Sequence, residues 1–412
     1  MKFFHISDLH FGKMFFNISL TETDQRFWTE RFLEAVDAYQ PDAVVMAGDI
    51  YDRKLPSAEA MQLFDRLLTG LSERGKYVFV IPGNHDSAIR LSHVSELLKT
   101  HHIYIAGDIS REMMHIDVGD VTFWLMPYLF PKAVADPSVL DRQDISSYEE
   151  AAQALIQAQN IDRSRCNILA AHQNVLASGT APEHSDSETI IGGLGEIDYS
   201  VFEPFDYVAL GHIHNAQHMG RETVRYAGCP LYYDFSEINR SKALTLVTVN
   251  DKTDIRIEKI DIELLHTLKQ FTGTLEELLE QGQRMTDMDR YYIQCVLKDS
   301  YRPPHIMERL RDVFGDSLVN VKIFREDARS VSYPAADGGS RKEAAQRSLD
   351  ESFLQFYHAM TEEVPDSEQE KLLGLLLEQQ ERRSGEYYDE DKQVPESDSQ
   401  ELIEFLLKED GQ

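Results

Sequence analysis

Four short runs of mostly apolar residues mark the first part of the chain: Lys2 to Ile6, Asp42 to Ala47 (DAVVMA), Tyr77 to Ile81 (YVFVI) and Asn167 to Ala171 (NILAA). Runs of this length without polar alternation predict strands buried on both faces. Between them, from about Thr21 to Ala38 and from Ser57 to Ser72, apolar residues return at helical spacing. Strands alternating with helices predict an α/β sheet. Phe205 to Leu210 adds another buried strand, and VTFWLMPY, TVRYAG and KALTLVTV add further β-rich segments. The sheet therefore becomes mixed or doubled before this region ends near Asp261.

The pattern changes from about Leu264. TLEELLEQGQRM predicts a helix, RYYIQCVLKD a strand, PPHIMERLRDVFG a helix opened by prolines, and LVNVKIF another strand. Together they make a small α+β module. YPAADGGSRKE then has the proline, glycine, serine and charge content of a linker. Beyond it, SLDESFLQFYHAM, SEQEKLLGLLLEQQE and SQELIEFLLKED carry apolar residues at helical spacing. Short amphipathic helices on such a tail cannot bury their apolar faces alone, so they dock on a partner or fold back on their own domain. The expected divisions are residues 1–262, 263–334, a linker at 335–347 and C-terminal helices at 348–412.

Composition narrows the class. Hydrophobic residues make up 42% of the 412 positions, enough for a sizeable core. Cys166, Cys229 and Cys295 are odd in number and lack a C-x-x-C spacing, so they read as reduced thiols and not as a disulfide frame or zinc site. MKFFHISDLH interrupts its apolar residues with an aspartate and a histidine, unlike a signal peptide, and no run nears the roughly 18 apolar residues of a membrane span. A cytoplasmic protein is expected. The net charge of -30 opposes unaided binding to a polyanion, although the acidic segment from Arg341 onward supplies a large part of it. Bound divalent cations would neutralise further carboxylates where a phosphate has to sit.

The candidate chemistry lies at the strand ends. HISDLHFG places Asp8 and His10 after the first strand, and VVMAGDIYD places Asp49 after the second. VFVIPGNHD brings Asn84 and His85, NILAAHQNV brings His172, and VALGHIHN brings His212 and His214. Each element has an ordinary reading: Asp8 as a helix cap, GD and GN as turn signals, His172 as a core histidine, the paired imidazoles as an accident. Their ordered conjunction favours convergence on one rim, since α/β sheets bind ligands beyond the carboxyl ends of their strands. Oxygen and imidazole donors without thiolate suit manganese, iron or zinc. Seven such donors exceed one ordinary site and imply two ions, with Asp49 the most plausible bridge. Paired ions activate water and stabilise the entering and leaving oxygens of an in-line displacement, which predicts phosphoester hydrolysis.

The set DLH, GDIYD, GNHD, HQN and GHIH resembles the signature of the calcineurin-like metallophosphoesterase superfamily. Within it, HISDLHFGK, GDIYDR, IPGNHDS, GHIHNAQ and YAGCPLYYDFSE resemble the bacterial SbcD nuclease subunits, over about residues 1 to 260. That resemblance implies a sandwich of mixed β-sheets flanked by helices. It assigns Asp8, His10, Asp49 and His214 to one ion and Asp49, Asn84, His172 and His212 to the other. His85 would stabilise the transition state or protonate the leaving oxygen. Asp86 would orient His85 or cap its turn. Asp52 stands where many archaeal and eukaryotic relatives have a second catalytic histidine, which blurs the balance between exonuclease and endonuclease action.

The resemblance further implies a manganese-dependent DNA nuclease, an exonuclease on double strands and an endonuclease on single strands and hairpins. It would act in repair and recombination with the ATPase SbcC, two copies of each protein assembling around a self-dimer. The module after residue 264 would cap the DNA and the C-terminal helices would bind SbcC. Lys13, Phe15, Phe16, Arg53 and Lys54 lie in loops beside the motifs. Basic and aromatic side chains there suit a nucleic-acid backbone and unstacked bases, although the phenylalanines serve equally as a hydrophobic plug or dimer contact. The alternative activity is hydrolysis of a small substrate such as a nucleotide or cyclic nucleotide.

Overall fold

The computed structural model describes residues 1–187, 195–299 and 305–323; the expected linker and C-terminal helices fall outside them. Two six-stranded mixed sheets organise the chain up to Asp261. The first has the order Asp254–Asp261, Ala243–Asp251, Lys2–Ile6, Ala43–Ala47, Tyr77–Ile81, Ile103–Ile105, the last four parallel. The second runs His218–Met219, Arg221–Tyr226, Tyr207–Gly211, Cys166–His172, Val121–Met126, Met114–Val118, with its four inner strands parallel.

Strand alternation explains how the sheets stack. Side chains of one parity, including Phe3, Val45 and Phe79, meet Phe123, Ile168 and Ala209 of the other sheet in a shared core. The opposite parity, Phe4, Val44 and Val78, packs beneath the helices Arg26–Tyr39 and Ala58–Glu73. On the far side, Leu169 and Val208 pack beneath Tyr148–Gln157. The result is a helix–sheet–sheet–helix sandwich. The predicted helix at Thr21 begins with a π-helical turn, Thr21–Gln25, before α-geometry sets in at Arg26.

One polar group is sealed between the sheets. The His5 imidazole is fully buried, with Nδ1 3.0 Å from the Tyr207 hydroxyl and Nε2 3.1 Å from the Leu210 carbonyl. Burial lowers its pKa to about 3. An unfolded histidine titrates near 6.5, so between those values the unfolded chain binds a proton that the folded chain refuses. Stability is therefore lost as pH falls through that window. His5→Gln should remove about 2 kcal/mol of the stability difference between pH 7 and pH 5, measured by denaturant unfolding at both; an unchanged difference would refute it.

A second core forms after Thr267. Thr267–Gly273, Tyr291–Leu297 and Leu318–Ile323 make a parallel three-stranded sheet, with Leu275–Gln283 and Ile306–Phe314 packed on it through Leu278, Leu310 and Phe314. A capping box between Thr274 and Glu277 starts the first of these helices. Its leading strand is not evident in the sequence, because Lys269 and Gln270 break the apolar run. Leu268 and Tyr292 join the core beneath the first sheet. Buried Asp24 accepts from the Tyr292 hydroxyl at 2.6 Å and pairs with His266 at 3.0 Å. Among the described residues, no helix is long and apolar enough to cross a membrane.

Candidate metal centre

The strand ends bring the predicted side chains together through unusual backbone. Asp8, His10, Asp49 and His212 have φ of 54°, 45°, 50° and 98°, a region that non-glycine residues seldom occupy. Main-chain bonds beyond the strands hold them there: Asp8 N to Gly48 O at 3.0 Å and His10 N to Asp49 O at 2.9 Å. The adjoining glycines permit close approach. A Cβ on Gly48 would lie 2.2 Å from His172 Nδ1, and one on Gly211 would lie 1.8 Å from the Ala47 carbonyl oxygen. That carbonyl takes the His172 Nδ1 proton at 2.8 Å, which turns Nε2 towards the centre.

Asp49 stands in the middle. Its Oδ1 accepts from the His85 backbone N–H at 2.9 Å. Its Oδ2 lies 3.3 Å from His172 Nε2 and 3.7 Å from His10 Nε2. On one side, Nε2 atoms of His10 and His214 face each other at 3.2 Å, with the Asp8 carboxylate beside them. On the other, Asn84 Oδ1 is 3.1 Å from His172 Nε2 and 3.0 Å from His212 Nδ1. All seven expected donors meet across this centre. Facing lone pairs and two buried carboxylates repel one another unless protons or cations lie between them. The donor set thus fits two divalent ions: Asp8–His10–His214 and Asp49–His172–Asn84–His212 line the two flanks.

The electrostatics are those of a strongly coupled group. Burial raises the Asp8 carboxyl and pushes His10 well below the ordinary imidazole range. His212 falls to about 3, through burial and the neighbouring His172. Burial opposes ionisation of His172 and Asp49 too, but their mutual attraction overrides it, raising His172 to about 9 and holding Asp49 well below the carboxylate range.

Residues around the centre divide differently from expectation. His85 is partly buried, and its Nδ1 lies 2.9 Å from the Asp52 carbonyl. A carbonyl only accepts, so Nδ1 carries the proton and Nε2 is left for chemistry. The Asp52 side chain pairs with Lys13 Nζ at 2.8 Å and stands 3.6 Å from His10 Nδ1. Asp86 does not orient the His85 ring: its carboxylate accepts from the backbone N–H groups of Ile50, Tyr51 and Gly83 at 2.9 to 3.0 Å. Of its two readings, turn capping is the one that the hydrogen bonds describe.

Among the loop residues, Phe15 requires correction. It is 1% exposed and packs on Phe235 and Tyr292, because the Met14–Phe15 and Ile18–Ser19 pairing folds the loop onto the core. It is a plug and has no face for a base. Phe16 is 40% exposed at the turn, Arg53 is exposed, Lys54 is partly buried, and Lys13 is engaged with Asp52 and the Tyr233 ring.

Several supporting residues carry no signal in the sequence. Gln25 donates to the His10 carbonyl at 2.7 Å and accepts from Gly12 N–H at 3.1 Å. The Tyr233 hydroxyl donates to the Leu9 carbonyl at 2.7 Å, its ring packing edge-on against both His10 and His214. Cys229, Glu237 and His214 cluster in a metal-like arrangement, but the Lys242 ammonium stands 2.9 Å from Cys229 Sγ and 2.7 Å from Glu237 Oε2 and takes the cation's place. The YAGCPLYYDFSE stretch holds three of these residues, yet nothing in its spacing indicates their distant partners.

Comparison with known proteins follows the same lines. The chain is 27% identical over 387 residues to a protein from Staphylococcus saprophyticus named as the SbcD component of nuclease SbcCD, covering 92% of this chain and 99% of that one. A protein of the same name from Staphylococcus epidermidis is 26% identical over 336 residues, covering 81% of this chain and 88% of its own. The family model described as calcineurin-like phosphoesterase matches residues 1–216, the span that delivers all seven donors. The chain belongs to the calcineurin-like phosphoesterase family.

Proposed function

We propose that the protein is a manganese-dependent DNA nuclease of the SbcD kind, hydrolysing phosphodiesters with two ions and working with an SbcC ATPase. The observation that carries the reading is Asp49 Oδ2, placed within 3.7 Å of imidazoles from both sheets. Asp8, His10, Asp49 and His214 would hold one ion, and Asp49, Asn84, His172 and His212 the other. When bound, the ions supply Lewis acidity to the scissile phosphate and lower the pKa of the attacking water. The His85 Nδ1–H is tied to the Asp52 carbonyl, so Nε2 serves the phosphate: as an imidazolium, His85 donates its Nε2 proton to the developing charge or to the leaving oxygen and becomes the neutral Nδ1–H imidazole. Asp86 fixes the turn that presents His85, and Gln25 and Tyr233 fix the loop that presents His10.

The names of the two staphylococcal relatives support the nuclease reading and the partnership. DNA would lie over the rim near Phe16, Arg53 and Lys54, with the small three-stranded module as its cap. Leu55, Met61, Ile89, Val94 and Leu97 are exposed and offer apolar surface for a self-dimer; residues 348–412 would bind the ATPase. The test compares manganese-dependent cleavage of linear DNA and of a small chromogenic diester, with and without the ATPase. DNA cleavage lost on chelation and restored by manganese is expected. Cleavage of the small diester alone in every arm would overturn the nuclease assignment and favour a small-substrate phosphoesterase.

A further inference from the structure

The side of His214 turned away from the metal centre contains a directed chain of hydrogen bonds. The Ser187 hydroxyl donates to Glu237 Oε1 at 3.0 Å and lies 2.7 Å from His214 Nδ1. A hydroxyl has one proton, and here the carboxylate takes it; the Ser185 hydroxyl, 2.6 Å away, then donates to Ser187. Ser187 can therefore only accept from His214, which places a proton on Nδ1, so that in the neutral imidazole Nε2 is the unprotonated nitrogen. That nitrogen is the one facing His10 Nε2 and Asp8. Glu237 is itself fully buried, yet it is held by Lys242 Nζ at 2.7 Å and by the Tyr233 N–H at 3.3 Å. A buried carboxylate survives as an anion only with such partners.

The other imidazoles have different backing. His172 Nδ1 donates to the neutral Ala47 carbonyl. His10 Nδ1 has no hydrogen-bond partner among the described residues and lies 3.6 Å from the nearest Asp52 oxygen. Of these three imidazoles, His214 is thus the one whose tautomer is set by an ionised relay.

We propose that Glu237, acting through Ser187 and anchored by Lys242, is a positioning residue that selects the metal-binding tautomer of His214 and so sets the affinity of one ion of the pair. The inference rests on the two-ion reading given above. Glu237→Gln retains the shape, but its amide can donate to Ser187, which then donates to Nδ1 and moves the imidazole proton to Nε2. Loss of such support typically weakens metal binding by about 10- to 100-fold.

The experiment titrates manganese into the chelator-treated full chain by calorimetry, alongside nitrogen-15 spectra of labelled histidine in the metal-free protein. In Glu237→Gln, one binding step should weaken by about 10- to 100-fold while the other holds, and one histidine should change from the Nδ1–H to the Nε2–H form. Ser187→Ala should weaken the same step, and Glu237→Asp should restore it in part. If Glu237→Gln leaves the tautomer and both steps unchanged while His214→Ala loses one ion, the inference fails alone. If His214→Ala also leaves binding unchanged, the two-ion reading fails with it. Equal weakening of both steps with a lowered melting temperature would mark Glu237 as merely structural and overturn the proposal.

Discussion

Asp49→Asn is expected to abolish binding of both ions together and to lower phosphodiester hydrolysis by about 10³-fold or more, since each ion supplies several kcal/mol of charge stabilisation. The reason is geometric. The Asp49 carboxylate lies within 3.7 Å of imidazoles on both flanks, and its second oxygen anchors the His85 backbone at 2.9 Å. Asparagine keeps that anchor through its amide oxygen. In place of Oδ2, which faces both flanks, it puts a neutral amide nitrogen, so both proposed ions would lose a charged ligand in a single change. Metal content after dialysis against manganese, read beside the hydrolysis rate, checks the expectation. Retention of one full equivalent would show that Asp49 does not bridge, and the donors would then belong to independent sites.

His85→Ala should separate chemistry from metal binding. The His85 ring is hydrogen-bonded through Nδ1 to the Asp52 carbonyl and not to one of the seven donors, while it stands edge-on to His10 at 4.9 Å. Its removal leaves the seven donors in place and takes away the group proposed to serve the leaving oxygen. Both manganese equivalents should remain, with kcat reduced by about 10²- to 10⁴-fold and KM little changed. A calorimetric titration matched to single-turnover hydrolysis decides the matter. Unaltered kcat would remove His85 from the mechanism, and loss of an ion would make it a ligand.

Glu237→Gln adds a different signature, weakening one ion through the outer partner of its ligand. The three variants together distinguish a bridging ligand, a proton donor and a positioning group, which lie close to one another yet alter different measurements.

The strands, the two main helices and the donor set are legible along the chain, because each depends on residues close in sequence. Apolar runs specify buried strands, and glycine beside aspartate, asparagine or histidine specifies a strand end that turns sharply and exposes a polar side chain. Tertiary contacts alone decide how those ends meet. The His212 N–H finds the Asp8 carboxylate across 204 positions, and the Ser187 hydroxyl finds Glu237 across 50. Phe15 reads equally as a base contact and as a hydrophobic plug or dimer contact until Phe235 and Tyr292 are seen to cover it. Asp86 reads equally as a partner of His85 and as a turn cap until its oxygens are seen on three backbone N–H groups. Periodicity and turn chemistry report which face a side chain leaves from. What it then meets depends on the packing of distant segments, which local sequence does not encode.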